Sequence, residues 1–386
     1  MIYAMAVKSK SKSSGGRGLF GGVYAGKRVF ITGHTGFKGA WLTEWLLSLG
    51  AKVTGFSLPP PTQPSLFEQL GLAKRMQHIV GDVRDAQALA AAVEAAQPDF
   101  IFHLAAQPLV RESYRTPVET YETNVMGTIH LLEAARQLHK PCAVVCITTD
   151  KCYENKEWVH GYREEDPLGG YDPYSSSKAA AEIAIAAWRR SFFKDHPVKV
   201  ASARAGNVIG GGDWALDRIV PDCIRALQKR EAIAVRNKHA TRPWQHVLEP
   251  LSGYLWLGAT LANPALANYS GDKFSSAFNF GPGHDANRTV AELVEQILKH
   301  WRGRWEDRSD PKAVHEAGLL QLTTDKASAL LRWAPVWNFP ETIQETVTWY
   351  AAAKPRAAGN LLRKLTVRQI QDYCRAAAAK ELTWAR

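Results

Sequence analysis

From Gly26 onward, short apolar runs alternate with stretches whose apolar residues recur at helical spacing. "KRVFITG" predicts a strand ending in glycine, and "GAWLTEWLLSLG" predicts a helix that stops at Gly50. "AKVTGFS" and "RMQHIVGDVRD" predict two more strands, followed by a helix in "AQALAAAVEAAQ". "PDFIFHLAA" predicts a fourth strand, "VETYETNVMGTIHLLEAARQLH" a long helix and "CAVVCITTD" a fifth strand. "PYSSSKAAAEIAIAAWRRSFF" then reads as a helix and "VKVASARAGNVIG" as a strand. Strands that are apolar almost throughout, alternating with helices, form a parallel sheet covered on both faces. The fold class is α/β, a doubly wound parallel sheet over residues 26–210 with later segments returning to it. Beyond residue 210 the regularity fades. Residues 211–386 read mainly as a smaller C-terminal substrate-binding lobe and terminal helices.

Ligands of such sheets bind at the C-terminal ends of the strands. At the first of these ends, "TGHTGFKG" spaces Gly33, Gly36 and Gly39 as GxxGxxG. The first glycine permits a tight turn, the second lets backbone N–H groups approach a pyrophosphate, and the third lets helix and strand pack closely. His34 and Phe37 lie within the same turn and count among the expected cofactor contacts, with shaping of the loop as the alternative for His34. The turn follows a strand and opens a helix, so the sheet reads as Rossmann-type and dinucleotide-binding. The second strand ends at Ser57, where an acid usually holds the adenosine ribose. No Arg or Lys stands near to meet a 2′-phosphate, so NAD is expected rather than NADP, with loosened ribose binding. Asp82 and Val83 are placed to meet the adenine. Leu104, Ala105 and Ala106 end the fourth strand and let the cofactor pass closely.

Tyr174 and Lys178 in "YSSSK" share one helix face, being four residues apart. An ammonium one turn from a phenol stabilises phenolate and makes a base for an alcohol proton. The fifth strand ends in Thr149, Asp150 and Lys151. In isolation such an acid–base pair is a surface turn, but here it falls at the crevice.

Composition narrows the remaining choices. The chain has 386 residues and a net charge of +11, with basic residues scattered among acids. It shows no basic stripe or nucleic-acid motif. No apolar run approaches the ~20 residues of a membrane span. The five cysteines, Cys142, Cys146, Cys152, Cys223 and Cys374, show no CxxC spacing and suit a reduced, cytoplasmic setting. No spacing of His, Cys or Asp suggests a metal. Residues 1–25, rich in Lys, Ser and Gly, read as a disordered tail.

"TGHTGFKG", "GDVRD", "HLAAQ", "NVMGT", "YSSSK" and "RAGNVIG" together resemble the extended short-chain dehydrogenase/reductase family over about residues 26–350. "GHTGFKGAWL", "TTDKCYEN" and "RPWQHVLEPLSGYL" are similar to its nucleotide-sugar 4,6-dehydratases that use CDP-glucose. The resemblance implies hydride transfer from the sugar C4 to NAD and back to C6, in deoxysugar synthesis for surface polysaccharide. Tyr174 would deprotonate the C4 hydroxyl and Thr149 would hydrogen-bond its oxygen. Asp150 would protonate the departing C6 hydroxyl. Lys151 would remove the C5 proton, with a purely electrostatic part as the alternative. Asn207 and Arg218 are implied as substrate contacts, and Arg242 as a diphosphate clamp. A homodimer or dimer of dimers through the helices at 113–139 and 174–193 is expected. Another nucleotide-sugar enzyme, such as a 4-epimerase or reductase, is the first alternative, and a cofactor-binding sensor the second.

Overall fold

The computed structural model describes residues 18–309, 319–353 and 359–386. Seven parallel strands form the central sheet: β1 (Arg28–Thr32), β2 (Lys52–Ser57), β3 (Gln77–Val80), β4 (Phe100–His103), β5 (Cys142–Ile147), β6 (Val198–Ala205) and β7 (Ala277–Phe280). Their spatial order is β7-β6-β5-β4-β1-β2-β3. The chain reverses direction between β1 and β4, the place where doubly wound sheets open a crevice.

Alternation within the strands explains the two covered faces. Val29 and Ile31 of β1, with Ala143 and Val145 of β5, point into one core. Phe30, Val144 and Cys146 point into the other. A period of two puts successive side chains on opposite faces, so a strand covered on both sides must be apolar throughout. On the first face lie α1 (Phe37–Ser48) and, later in the chain, the buried helix Leu248–Ala262. The second face carries α2 (Ala86–Ala96), α3 (Gly127–Arg136) and α4 (Pro173–Ser191). The long helix expected before β5 is interrupted. Pro117–Tyr121 leads into a π turn at Glu122–Met126 and then α3.

Two segments of the C-terminal half return to the sheet. "FNF" forms the seventh strand, and Leu248–Ala262, hereafter α5, packs on β5 and β6. The lobe itself holds short pairs. Thr241–Pro243 runs antiparallel to Asn287–Thr289, and Gln245–His246 parallel to Val208–Ile209.

The tail boundary needs correction. Phe20 and Tyr24 are buried: Phe20 stacks on Trp384 with centroids 5.0 Å apart, and Tyr24 donates to the Leu255 carbonyl. Their aromatic rings, set among glycines, find partners in α1, α5 and the C-terminal segment that includes α6 (Gly359–Ala379). Residues 1–17 of the expected tail lie outside the described residues.

Candidate active site

The glycine turn is built as its spacing demands. Gly33 has φ +75°, and a Cβ there would lie 2.6 Å from the Ala105 nitrogen. A Cβ on Gly39 would lie 2.2 Å from the Gly33 carbonyl oxygen, so α1 can approach β1 only without a side chain. Gly36 is the N-cap of α1 and no side chain caps it. A Cβ on Gly36 would meet only the Gly33 oxygen, at 3.4 Å. The uncapped amides at this opening fit a dinucleotide pyrophosphate. Leu104 and Ala105 close the opposite wall, donating from their backbones to the carbonyl and hydroxyl of Thr32. Ala106 follows them.

Three neighbours of the turn have internal partners. His34, expected among cofactor contacts, is buried and points away: its Nε2 meets His78 Nδ1 at 2.7 Å, beside Phe67 and the bare Cα of Gly55. Burial, with His78 adding to it, pushes its imidazole down to about 3. Its part is to fix the loop. Phe37 packs towards Gly210. Ser57 does end β2, but its hydroxyl lies 2.8 Å from that of Thr35, which in turn donates to the Leu58 carbonyl. Asp82 follows β3 and is held by Arg84, with Nε at 2.8 Å. Burial works against its charge, but the Arg84 hydrogen bonds hold its carboxyl below the usual range. Val83 is buried against Gly127.

At the end of β5 the chain makes a 3-10 turn, Asp150–Cys152. Thr149 caps it, accepting from the Lys151 amide and donating to Asp150 Oδ1 at 2.9 Å. Asp150 is buried, and Lys151 Nζ lies 3.6 Å from its Oδ1. Gly206 lets the backbone after β6 press on this carboxylate, since a Cβ there would be 2.7 Å from Oδ2. Asn207 is the next residue.

Tyr174 and Lys178 come from the first turns of α4, which Asp172 caps and Pro173 starts. Both are buried. Thr149, at the β5 end, stands beside the Tyr174 phenol and favours its ionised form. The expected lowering of its phenol by Lys178 is not found. Burial pushes the phenol up to about 12, and Asp150 pushes the same way, against Thr149 and Arg218. Lys178 instead donates to the Ile147 carbonyl at 3.4 Å. Burial pushes its ammonium down to about 8, opposed chiefly by Glu182.

The arginines differ in placement. Arg218 binds Asp213 at 2.8 Å and is close enough to Tyr174 for their charges to interact. Arg242 stands on the lobe strand opposite Arg288 and donates from Nη1 to the Thr241 carbonyl. His246 is buried against Trp41 and Trp337, as a packing histidine is.

Two site residues escaped sequence reasoning. Lys38 sits in the glycine turn near Arg218, Asp150, Lys178 and Lys151, and burial with the neighbouring cations pushes it down to about 8. Its signal was a cation in the first turn of a helix, where the dipole disfavours one. Asn124 occupies the π turn and ties the loop after β4 to α4, receiving from the Gln107 amide and donating to Ser177. "NVMGT" marked it, but a π turn has no spacing signature; such turns often sit at functional sites. Among the described residues no His, Cys, Asp or Glu group could hold a metal, and no helix is long and apolar enough to cross a membrane.

Residues 30–346 match the family model described as GDP-mannose 4,6 dehydratase. A CDP-glucose 4,6-dehydratase of Salmonella typhimurium is 47% identical, covering 91% of this chain and 97% of that protein. A CDP-paratose 2-epimerase of Salmonella typhi is 29% identical, over 83% of this chain and 98% of its own. Among solved structures, a dTDP-glucose 4,6-dehydratase from Streptomyces venezuelae with NAD and TYD bound shares the fold. It has a TM-score of 0.71, 24% identity and coverage of 84% and 97% of the two chains. The crevice, the glycine turn and the match across the sheet and lobe agree, and the chain belongs to the GDP-mannose 4,6 dehydratase family.

Proposed function

We propose that the chain is an NAD-dependent nucleotide-sugar 4,6-dehydratase that converts CDP-glucose to CDP-4-keto-6-deoxyglucose. The observation that carries it is the meeting of Tyr174, Thr149, Asp150 and Lys151 at the end of β5. A 4-epimerase has no use for an acid–base pair there. An intact Tyr174–Lys178 pair counts against a non-catalytic sensor.

Gly33, Gly36 and Gly39, the α1 amides, Leu104, Ala105 and Lys178 would hold NAD. NAD held there would supply the reversible hydride chemistry between the sugar C4 and C6. Tyr174 takes the C4 hydroxyl proton, and Thr149 steadies the oxygen as it becomes a carbonyl. The ketone acidifies the C5 hydrogen, which Lys151 removes. Lysine acts as a base only where burial or nearby cations make its proton easier to lose. Asp150 gives a proton to the departing C6 hydroxyl. Asn207 and Arg218 border the sugar, and Arg242 clamps the diphosphate.

A dimer through the Pro117–Tyr121 segment, its π turn and α4 accompanies this reading. Val118, Tyr121, Met126 and Ile183 are exposed there, with Val118 at 69% and Ile183 at 58%. Such apolar exposure on adjoining helices suits association.

Incubation of purified protein with NAD and CDP-, dTDP-, UDP- or GDP-linked hexoses tests the function. A 4-keto-6-deoxy product from the CDP sugar is expected. Absence of a 4-keto product from all four would overturn it.

A further inference from the structure

Glu182 lies one turn beyond Lys178 on α4 and takes no part in the chemistry described above. Its side chain is buried, 2% exposed, and three side chains bind it. Thr148 donates to Oε1, and Ser202 and Arg204 donate to Oε2 at 2.8 and 2.9 Å. The four groups come from α4, β6 and the first residue beyond β5, and all are buried. Arg204 continues the network to the Tyr153 hydroxyl and the Glu164 carbonyl. Tyr153 in turn donates to Asn279 on β7. The Glu182 carboxylate therefore fastens the residue that precedes Thr149 to the helix that carries Tyr174 and Lys178.

We propose that Glu182 is a positioning residue of this active site, holding the Thr148–Thr149 strand end and supplying the buried negative charge that faces the Lys178 ammonium. The inference rests on the dehydratase reading for its activity readout alone. A lone buried ammonium loses its proton readily. Lys178 faces Cys146 on β5, Cys152 beyond it, His103 on β4, Lys38 on α1 and, on its own helix, Tyr174 and Glu182. His103 is held neutral by burial. Burial also keeps the two thiols protonated. Glu182 is the carboxylate of this set, and its own charge is favoured by Arg204 against the cost of burial.

Lys178 is expected to be charged only below its pKa. Removing the carboxylate lowers that value, so the loss of activity at high pH should move toward acid. Glu182→Gln should shift the alkaline limb of kcat by about one pH unit or more, and Glu182→Asp should restore it. A residue that is only structural would lower the melting temperature and leave the limb in place. A second readout needs no substrate: the 13Cε resonance of Lys178 in protein carrying labelled lysine, assigned by its loss in Lys178→Met. Its titration should move at least tenfold in proton affinity in Glu182→Gln. Should that variant not fold, Glu182→Gln/Arg204→Met removes both charges of the buried pair and is titrated in its place. An unmoved resonance in the folded variant overturns the proposal. A moved resonance in a protein that makes no 4-keto sugar upholds it and sinks the dehydratase reading instead.

Discussion

Thr149 donates its hydroxyl to the Asp150 carboxylate at 2.9 Å, and the same hydroxyl stands beside the Tyr174 phenol and favours its ionised form. A hydroxyl has one proton, so it cannot donate to both neighbours at once. With Tyr174 neutral, Thr149 donates to Asp150. With Tyr174 ionised, the Thr149 proton is wanted at the phenolate and Asp150 loses a donor. The base of the first step and the acid of the second are therefore coupled through one side chain.

Tyr174→Phe removes the first member of this chain without unburying anything, since the ring stays packed. NAD affinity and melting temperature should hold near wild type while hydride transfer falls by about 10² or more, the usual scale for a lost acid–base group. Activity within tenfold of wild type would show that the phenol is not the base.

Internal return of the hydride fixes the redox balance. Free NADH should not accumulate during turnover, and deuterium placed at C4 of the sugar should appear at C6 of the product. A steady rise in NADH absorbance would instead mark a net dehydrogenase.

Ser57 ends β2 beside the glycine turn and shares a hydrogen bond with Thr35. It lacks the charge with which a carboxylate grips two ribose hydroxyls. Ser57→Asp should tighten NAD and weaken NADP, read by titration of each against the purified protein. Equal affinities in the two proteins would mean that residue 57 does not face the ribose.

The sheet was legible because its strands are apolar on both faces and its turns carry glycines where no Cβ fits. Phe20 and Tyr24 were not legible: their partners Trp384 and Leu255 lie hundreds of residues away, while nearby glycines and serines suggested a tail. Periodicity likewise identified Tyr174 and Lys178 as neighbours, but it could not show that burial would raise the phenol and turn Lys178 to the Ile147 carbonyl. Lys38 lies near charges from separate elements, and Glu182 meets Thr148, Ser202 and Arg204 from beyond its own helix, which local pattern does not encode.

Glu249, on α5, is buried and accepts from the Val336 and Trp337 amides and the Tyr373 hydroxyl. Burial pushes its carboxyl up to about 7, although those hydrogen bonds pull the other way. The folded value lies above the unfolded one, so the folded protein keeps a proton that the unfolded chain releases. This contribution is full below about pH 4.3, the unfolded value. It is lost as pH rises through about 7. It amounts to about 4 kcal/mol at most. Melting temperature should therefore decline from pH 5 to pH 8 more steeply in wild type than in Glu249→Gln. Parallel declines in the two proteins would contradict a raised Glu249.

Lys151 and Asp150 should matter after hydride transfer, because Tyr174 and Lys178 remain intact when either is changed. In Lys151→Met the first hydride should still move, so bound NADH should build up in a single turnover while C5 deuterium washes out slowly. In Asp150→Asn the base is present, 3.6 Å from the changed side chain. C5 exchange with solvent should then persist while departure of the C6 hydroxyl stalls. Both variants would make little product, yet they should differ in C5 exchange measured by mass spectrometry of the recovered sugar. If Lys151→Met exchanges C5 hydrogen as fast as wild type, the proton goes to another base, and Lys151 serves only as the counter-charge of Asp150.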